Sequence, residues 1–459
     1  MGKTQLILNQ SPLFLKLVLA SLSLLLISYF MFISYQVRPS SDDLWIYYEF
    51  KTRGFYNFFT SYPYNFRYTS FFVFGVLAEL NSSFESFHFL IFSYYLILFI
   101  ALYYAIFRII NSIFYRLQNQ LPKIQIHIIS HLLFFVIYFG TSNGIEVWFW
   151  FIGSTVYLVA TLFFLLGLGE ILKIGTKEFS KTMSFLYFLL FGGTAENFAL
   201  ATFMVLLFIA WKYKELRRYI VSILLSVSIF PIINLLRNSY SQRYIETTQN
   251  ARFPHFQVFY PEESVFNFNY KYLFLLLIFG LLYQFGQQIS PRMQLEKLEN
   301  WIKPQLKTIL FCLCIFLFFS LTPLFIVFKN LGPSRAWISL NVVFSLIVFF
   351  FVFYLGMKSK IKFSTYFLLP NFISFIVLFS IYNYKQQIKT QQYALEFDQL
   401  ITEVKSFTKT NKPLIISKPL PDSGVISYAT ISKNNSTDTS LTSYYFLKVL
   451  NRNNLLFIR

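Results

Sequence analysis

Two adjacent acidic residues, Asp42 and Asp43, follow the first long apolar run of this 459-residue chain. A carboxylate just outside a membrane can act as a general base on a hydroxyl or an amine. A pair of carboxylates can also bind a divalent cation that neutralises phosphates. The structural alternative is a helix N-cap, in which Ser41 or Asp42 starts a helix at Leu44. The residues alone leave both interpretations open.

Two short polar loops that resemble each other carry three more candidates. Glu146 closes the loop Phe139-Gly-Thr-Ser-Asn-Gly-Ile-Glu146, and Glu196 and Asn197 close Phe191-Gly-Gly-Thr-Ala-Glu196-Asn197. The helices before them are predicted at 127–139 and 183–192, which is roughly 15–20 Å of helix against a ~30 Å hydrocarbon core. The loops are therefore predicted to lie at membrane depth, where carboxylates are functional candidates by default. The structural alternative is that both acids only stabilise the start of the next helix.

The composition indicates the kind of scaffold that positions these residues. Apolar residues make up 56% of the chain and charged residues 13%, against roughly 25% charged in soluble domains. So few charges exclude a soluble domain of this size, and 61 Phe with 32 Tyr exclude a disordered basic chain that binds nucleic acid. We expect an all-α polytopic membrane protein with about eleven transmembrane helices. The predicted spans are 13–36, 88–107, 128–141, 148–169, 182–192, 198–211, 219–236, 272–289, 308–328, 337–357 and 364–382.

The basic residues predict the orientation of these spans. Nineteen of the 39 Lys and Arg fall in the N-terminal segment and in alternate loops, which the positive-inside rule assigns to the cytoplasmic side. The N-terminus is then inside and the C-terminus outside, and 37–87 is a long first outer loop. Within it, 66–80 is apolar enough to be a twelfth span, but that would place the basic loops outside. We predict that it is a juxtamembrane or partly embedded helix.

This layout resembles the GT-C superfamily of membrane glycosyltransferases, closest to its bacterial multi-spanning members. The resemblance is carried by the acidic pair after the first span, the aromatic–arginine element Asn65-Phe-Arg67-Tyr, and two loop motifs. The loop motifs read Glu146-Val-Trp148-Phe-Trp150 and Gly192-Gly-Thr-Ala-Glu196-Asn197. It covers most of the chain, although only the first-loop acids and the topology are shared broadly.

The resemblance implies transfer of a sugar from a polyprenyl-phosphate or polyprenyl-diphosphate donor on the outer face of the bacterial cytoplasmic membrane, as part of cell-envelope glycan synthesis. The acceptor is a glycan, a lipid or a protein, membrane lipids surround the chain, and no nucleic acid is involved. Asp42 or Asp43 is then the catalytic base. The adjacent acids favour a metal-independent base, and a divalent metal held by Asp42 and Asp43 stays as the alternative.

A phosphate-bearing donor needs cations at the membrane surface, and the fork of arginine suits this role. The candidates for binding the donor phosphate are Arg67, Arg243, Arg252 and Arg335. The structural alternative for each is an arginine that reaches lipid headgroups. Four aromatic residues are placed where a sugar or prenyl chain can stack, namely Trp45, Tyr64, Trp148 and Trp337. His255 is predicted to be structural, and the Cys312–Cys314 spacing predicts no disulfide.

Residues 383–459 differ in composition from the transmembrane part at 1–382. A helical pattern at 393–407 and short apolar runs at 413–417 and 444–450 predict a small extracytoplasmic α/β domain.

Two other functions fit parts of the pattern. Broken helices with acids in deep loops suit a transporter or flippase for a lipid-linked glycan. The arginine-bearing loop 237–271 suits an O-antigen-type polymerase or ligase.

Overall fold

The computed structural model describes residues 12–39, 41–61, 67–80, 87–116, 121–141, 145–236, 270–289, 299, 303–328, 337–359 and 368–406. This part of the chain is built of helices and contains no strand. Eight of the helices are long and apolar enough to cross a membrane. The chain is therefore a helical polytopic membrane protein.

The first half contains nine α-helices. They are α1 Pro12–Gln36, α2 Ser41–Arg53, α3 Phe55–Ser61, α4 Tyr68–Leu80, α5 Phe87–Arg116, α6 Lys123–Gly140, α7 Phe151–Ile171, α8 Lys181–Gly192 and α9 Glu196–Lys212. A π-helix, Ile145–Phe149, precedes α7. The second half contains α10 Arg217–Leu236, α11 Tyr270–Ile289, α12 Leu306–Phe328, α13 Ile338–Lys358 and α14 Leu368–Ser406.

A helix overlaps each of the eleven predicted spans. Three of these helices, α8, α9 and α14, are not among the eight with the length and hydropathy of a span, so the count of eleven stays a prediction. The helices α2, α3 and α4 make up the described part of the predicted first outer loop. Helix α4 has 13 residues and rises about 20 Å, which is too short to cross a ~30 Å core. This length agrees with the prediction that 66–80 does not span.

The helix before the Glu146 loop is longer than predicted. The sequence indicated a helix at 127–139, whereas α6 has 18 residues and rises about 27 Å, close to the full hydrocarbon thickness. Its first turns hold Lys123, Gln125 and His127, whose polarity lowers the hydropathy although Gln125 is buried. The argument from a short helix to a deep loop is therefore wrong for the Glu146 loop. For the Glu196 loop the preceding helix is short, since α8 has 12 residues and rises about 18 Å, and the depth of that loop stays a prediction.

The first and last helices run in the same direction. Asn383 lies beside Ser28, with the Asn383 amide 3.5 Å from the Ser28 hydroxyl. Two residues past the end of α1, the Arg38 guanidinium is 2.7 Å from the carboxylate of Asp398, which lies farther along α14. Parallel first and last helices agree with an odd number of crossings.

Helix α14 continues well past the predicted end of the last span. It runs without interruption from Leu368 to Ser406, through the predicted boundary at 382, and covers the helix predicted at 393–407 as far as Ser406. Tyr393 and Phe397 are buried, so this extension packs against the rest of the molecule. The strands predicted at 413–417 and 444–450 lie outside the described residues.

Helix α6 lies at the centre of the bundle. Fourteen of its residues are buried, and it packs against α1, α5, α11 and α13. Aromatic rings fill the space between α1, α5 and α6, where Phe30 contacts Phe99, Phe134 and Trp148. A second group, α8 to α10 and α12, joins this core mainly through α7 and α8.

Polar contacts hold the helix ends together in two separate sets. At the end that bears α2 to α4, which we call the predicted outer end, they involve Asp43, Arg67 and Lys271. At the opposite end, Arg108 on α5 pairs with buried Glu170 on α7, and Lys212 on α9 contacts Thr308 on α12. This separation agrees with the predicted alternation of inner and outer loops.

Candidate functional site

The Asp43 carboxylate caps a membrane helix. Asp43 is completely buried, and its Oδ1 accepts a hydrogen bond of 2.9 Å from the backbone N–H of Ile152. Ile152 is the second residue of α7, and the cap residue Trp150 makes no side-chain capping bond. The first N–H groups of a helix have no partner within it and favour a negative charge. Asp43 therefore satisfies α7 from a different element and fixes α2 against it.

Asp42 is the preceding residue on α2. Consecutive residues of a helix project in directions about 100° apart. The side chain of Asp42 lies outside the described part of the chain. The structure thus assigns a packing contact to Asp43, the second acid of the pair.

The Glu196 carboxylate forms an ion pair with Arg67. Arg67 Nε donates to Glu196 Oε1 at 3.2 Å, and both side chains are about one-fifth exposed. Glu196 is the first residue of α9, where a negative charge is stabilised by the helix N-terminus. Arg67 directly precedes α4. The structure therefore joins two predicted site residues that lie 129 positions apart in the chain.

The turn before Glu196 receives the start of α4. The backbone N–H of Thr69 donates to the Gly193 carbonyl at 2.9 Å, and the Tyr68 ring stacks on Phe230 at 5.1 Å. A Cβ on Gly193 would lie closer than 3.0 Å to the Thr69 side chain. Only glycine allows so close an approach at this point. Asn197 is half-buried beside Glu196 at the same junction.

The Glu146 loop is organised around Thr141. Trp148 donates its indole N–H to the Thr141 hydroxyl at 3.1 Å, and Lys271 Nζ donates to the Thr141 carbonyl at 2.6 Å. Glu146 is the second residue of the π-helix, and its side chain lies outside the described residues. Single-turn π-helices occur frequently at functional sites.

The predicted stacking role of Trp148 is wrong. Its side chain is 1% exposed and lies among Phe30, Phe99 and Phe134 in the core. An indole enclosed by other rings has no face left for a sugar. Trp337 is half-buried at the start of α13, whereas the side chain of Trp45 and all of Tyr64 lie outside the described residues.

Three of the four predicted phosphate-binding arginines, together with His255, have no described structure. They are Arg243, Arg252 and Arg335. Among the described residues, no three His, Cys, Asp or Glu side chains gather to hold a metal ion.

Two contacts at the predicted outer end were missed by sequence reasoning. Lys271, in the first turn of α11, brings a cation to the Thr141 carbonyl. Arg38 donates two hydrogen bonds to the Asp398 carboxylate, from Nε at 2.8 Å and from Nη2 at 2.7 Å. Arg38 resembled any arginine that follows a span, and its partner lies 360 positions later in the chain. Only Lys271 could have been noticed in the sequence, because it is a cation next to a predicted span on the outer side, where the loops between spans contain few cations.

Comparisons with family models, with curated proteins and with solved structures give no match to this chain.

Proposed function

We propose that the chain is an integral-membrane glycosyltransferase of the GT-C type. It moves a sugar from a polyprenyl-phosphate or polyprenyl-diphosphate donor to a glycan, lipid or protein acceptor on the outer face. The supporting observation is that Asp43 anchors the acid-bearing helix α2 directly onto the first turn of α7. A rigidly held helix at a membrane helix end is a suitable support for a carboxylate that acts as a base.

The two acids have different roles in this proposal. Asp43 is buried and its Oδ1 is engaged by Ile152, so we assign it as a positioning residue. Asp42, the neighbouring acid on α2, is the general base. It removes the proton from the acceptor hydroxyl or amine as the acceptor oxygen or nitrogen bonds to the anomeric carbon, and the bond between that carbon and the phosphate oxygen breaks. The polyprenyl phosphate or diphosphate leaves with the electron pair of that bond.

The donor phosphate is bound by cations at the same end of the bundle. Arg67, Arg243, Arg252 and Arg335 are proposed for this role, and the ion pair with Glu196 orients Arg67. Guanidinium groups match the geometry of phosphate oxygens and keep their charge at all physiological pH values. In the full proposal the chain makes eleven crossings of a bacterial cytoplasmic membrane, with the N-terminus inside and the C-terminal region outside.

Sugar transfer by single-residue variants tests the proposal. Purified protein in lipid nanodiscs is given a panel of radiolabelled polyprenyl-phosphate sugars and a cell-envelope fraction as acceptor. We expect Asp42→Asn to lower transfer at least about 100-fold, since a general base contributes roughly that much or more. Glu49→Gln is the matched control, because Glu49 lies on the same helix and pairs with Arg53. It should transfer sugar at the wild-type rate.

Two results would overturn the proposal. One is full sugar transfer by Asp42→Asn, the variant that lacks the proposed base. The other is counter-flow exchange of a lipid-linked glycan across vesicles without covalent transfer, which is the behaviour of a transporter.

A further inference from the structure

A basic surface lies at the end of the bundle opposite the candidate site. It consists of the turn between α7 and α8, residues 173–181, and the turn between α9 and α10, residues 212–218. These two segments together hold seven Lys and Arg and two Glu, an excess of five positive charges. We call them the inner basic surface, because both lie at the predicted inner end.

A ring contact holds the two turns side by side. The Phe179 and Tyr219 rings meet edge to face, with their centroids 5.4 Å apart. Lys177 and Lys181 each lie two residues from Phe179, and Arg218 directly precedes Tyr219. Helices α8 and α10, which follow the two turns, also pack against each other. Cations from two separate segments of the chain therefore share one surface.

Most of the charge of this surface is not neutralised by carboxylates in the described part of the chain. The described ion pairs at this end join Glu170 to Arg108, Glu178 to Lys173, and Glu299 to Lys303 and Lys358. The exposed cations Lys177, Lys181 and Arg218 take part in none of these pairs. The positive-inside rule accounts for cations at this end of the bundle, but it does not require them to gather around one ring contact.

Exposed apolar side chains continue from these cations along both helices. Val221 and Leu225 follow Arg218 at helical spacing, so the three side chains lie on one face of α10. Val221 is 43% exposed and Leu225 is 60% exposed. On α8, Met183 and Leu186 are also exposed. Since α10 is long and apolar enough to cross a membrane, this face is suited to contact with acyl chains.

We propose that the inner basic surface binds the headgroup phosphate of an anionic phospholipid, whose acyl chains lie along the exposed apolar side chains of α8 and α10. The positive charge is complementary to such a headgroup. The apolar side chains that adjoin the cations favour a lipid over a soluble anion. The site lies at the opposite end of the bundle from the proposed sugar transfer and does not depend on it.

Lipid binding to the purified full-length protein tests this proposal. Delipidated protein in detergent is titrated with phosphatidylglycerol, or with phosphatidylcholine that carries the same acyl chains, and bound lipids are counted by native mass spectrometry. We expect the wild-type protein to prefer phosphatidylglycerol. The double variant Lys181→Gln/Arg218→Gln should bind phosphatidylglycerol about 25-fold more weakly, because each basic residue near an anionic lipid contributes about fivefold. Its binding of phosphatidylcholine should stay unchanged.

Lys16→Gln/Lys123→Gln is the matched control. Both lysines are exposed and belong to the predicted inner end, on helices α1 and α6, so this variant loses the same charge away from the inner basic surface. It should bind phosphatidylglycerol as the wild-type protein does. An equal loss of affinity in both double variants would overturn the proposal, since binding would then follow net charge alone.

Two results with the wild-type protein would also overturn it. One is equal binding of phosphatidylglycerol and phosphatidylcholine. The other is displacement of phosphatidylglycerol by excess inorganic phosphate at constant ionic strength, which would show a site for a free anion.

Discussion

Asp43 shows how a residue with the appearance of a catalytic acid can be held by a structural contact. A carboxylate at this position was open to two interpretations, a base or a cap. The buried hydrogen bond to Ile152 supports capping, of a helix 109 positions away and not of its own helix. Local sequence patterns predict a cap only where the capping residue directly precedes the helix that it caps. They cannot predict a cap supplied by a distant part of the chain.

Two variants of Asp43 separate capping from charge. Asp43→Asn keeps an oxygen that can accept from Ile152, whereas Asp43→Ala leaves that N–H buried without this partner. We expect the alanine variant to lose about 1–2 kcal/mol of stability and the asparagine variant much less. Thermal unfolding of both proteins in the same detergent measures this. Equal unfolding temperatures for the two variants would contradict the capping role.

At the scale of the elements, the predicted helices were found because an apolar run is a local signal. The start of α6 was missed because Lys123, Gln125 and His127 lower the hydropathy there, and a window of sequence does not reveal that Gln125 is buried in the bundle. The pairing of Arg67 with Glu196 could not be predicted from the sequence either, although both residues were candidate site residues. Each was chosen for its own loop, and only the docking of α4 on the turn before α9 brings them together.

Helices α11 and α13 supply a test of backbone packing. A Cβ on Gly356 would lie closer than 3.0 Å to the backbone carbonyl of Tyr283, and a backbone atom cannot move aside without shifting the helix. We expect Gly356→Ala to lower the unfolding temperature and the yield of folded protein. Gly169→Ala on α7 is the control, because its nearest neighbours are at 3.8 Å and 3.9 Å, which is ordinary contact. A stable Gly356→Ala protein would show that α11 and α13 do not pack this closely.

At the scale of the whole molecule, the helical membrane architecture followed from composition, whereas the orientation rests on the loop charges. The parallel arrangement of α1 and α14 adds an independent observation, since it places the start of the first helix and the end of the last at opposite ends. The C-terminal strands and the arginine-rich loop 237–271 remain predictions from sequence. These segments lack the long apolar runs by which a membrane helix is recognised in a sequence.

Labelling of single cysteines measures the orientation. In a background with Cys312→Ser and Cys314→Ser, we expect Gln391→Cys on α14 to react with a membrane-impermeant maleimide in intact cells. Lys214→Cys, between α9 and α10, should react only after the membrane is permeabilised. Both positions are exposed, so burial does not hide either thiol. The reverse pattern would invert the topology, and labelling of both from one side would rule out the alternation.

The ion pair between Arg38 and Asp398 has a consequence for the synthesis of the protein. A ribosome synthesises Asp398 360 residues after Arg38, so the two cannot meet until α14 has been translated. During that interval, the segment between α1 and α2 lacks its contact with α14. Completion of the fold at the predicted outer end is thus a late event in biogenesis, and a chain truncated before α14 lacks it altogether.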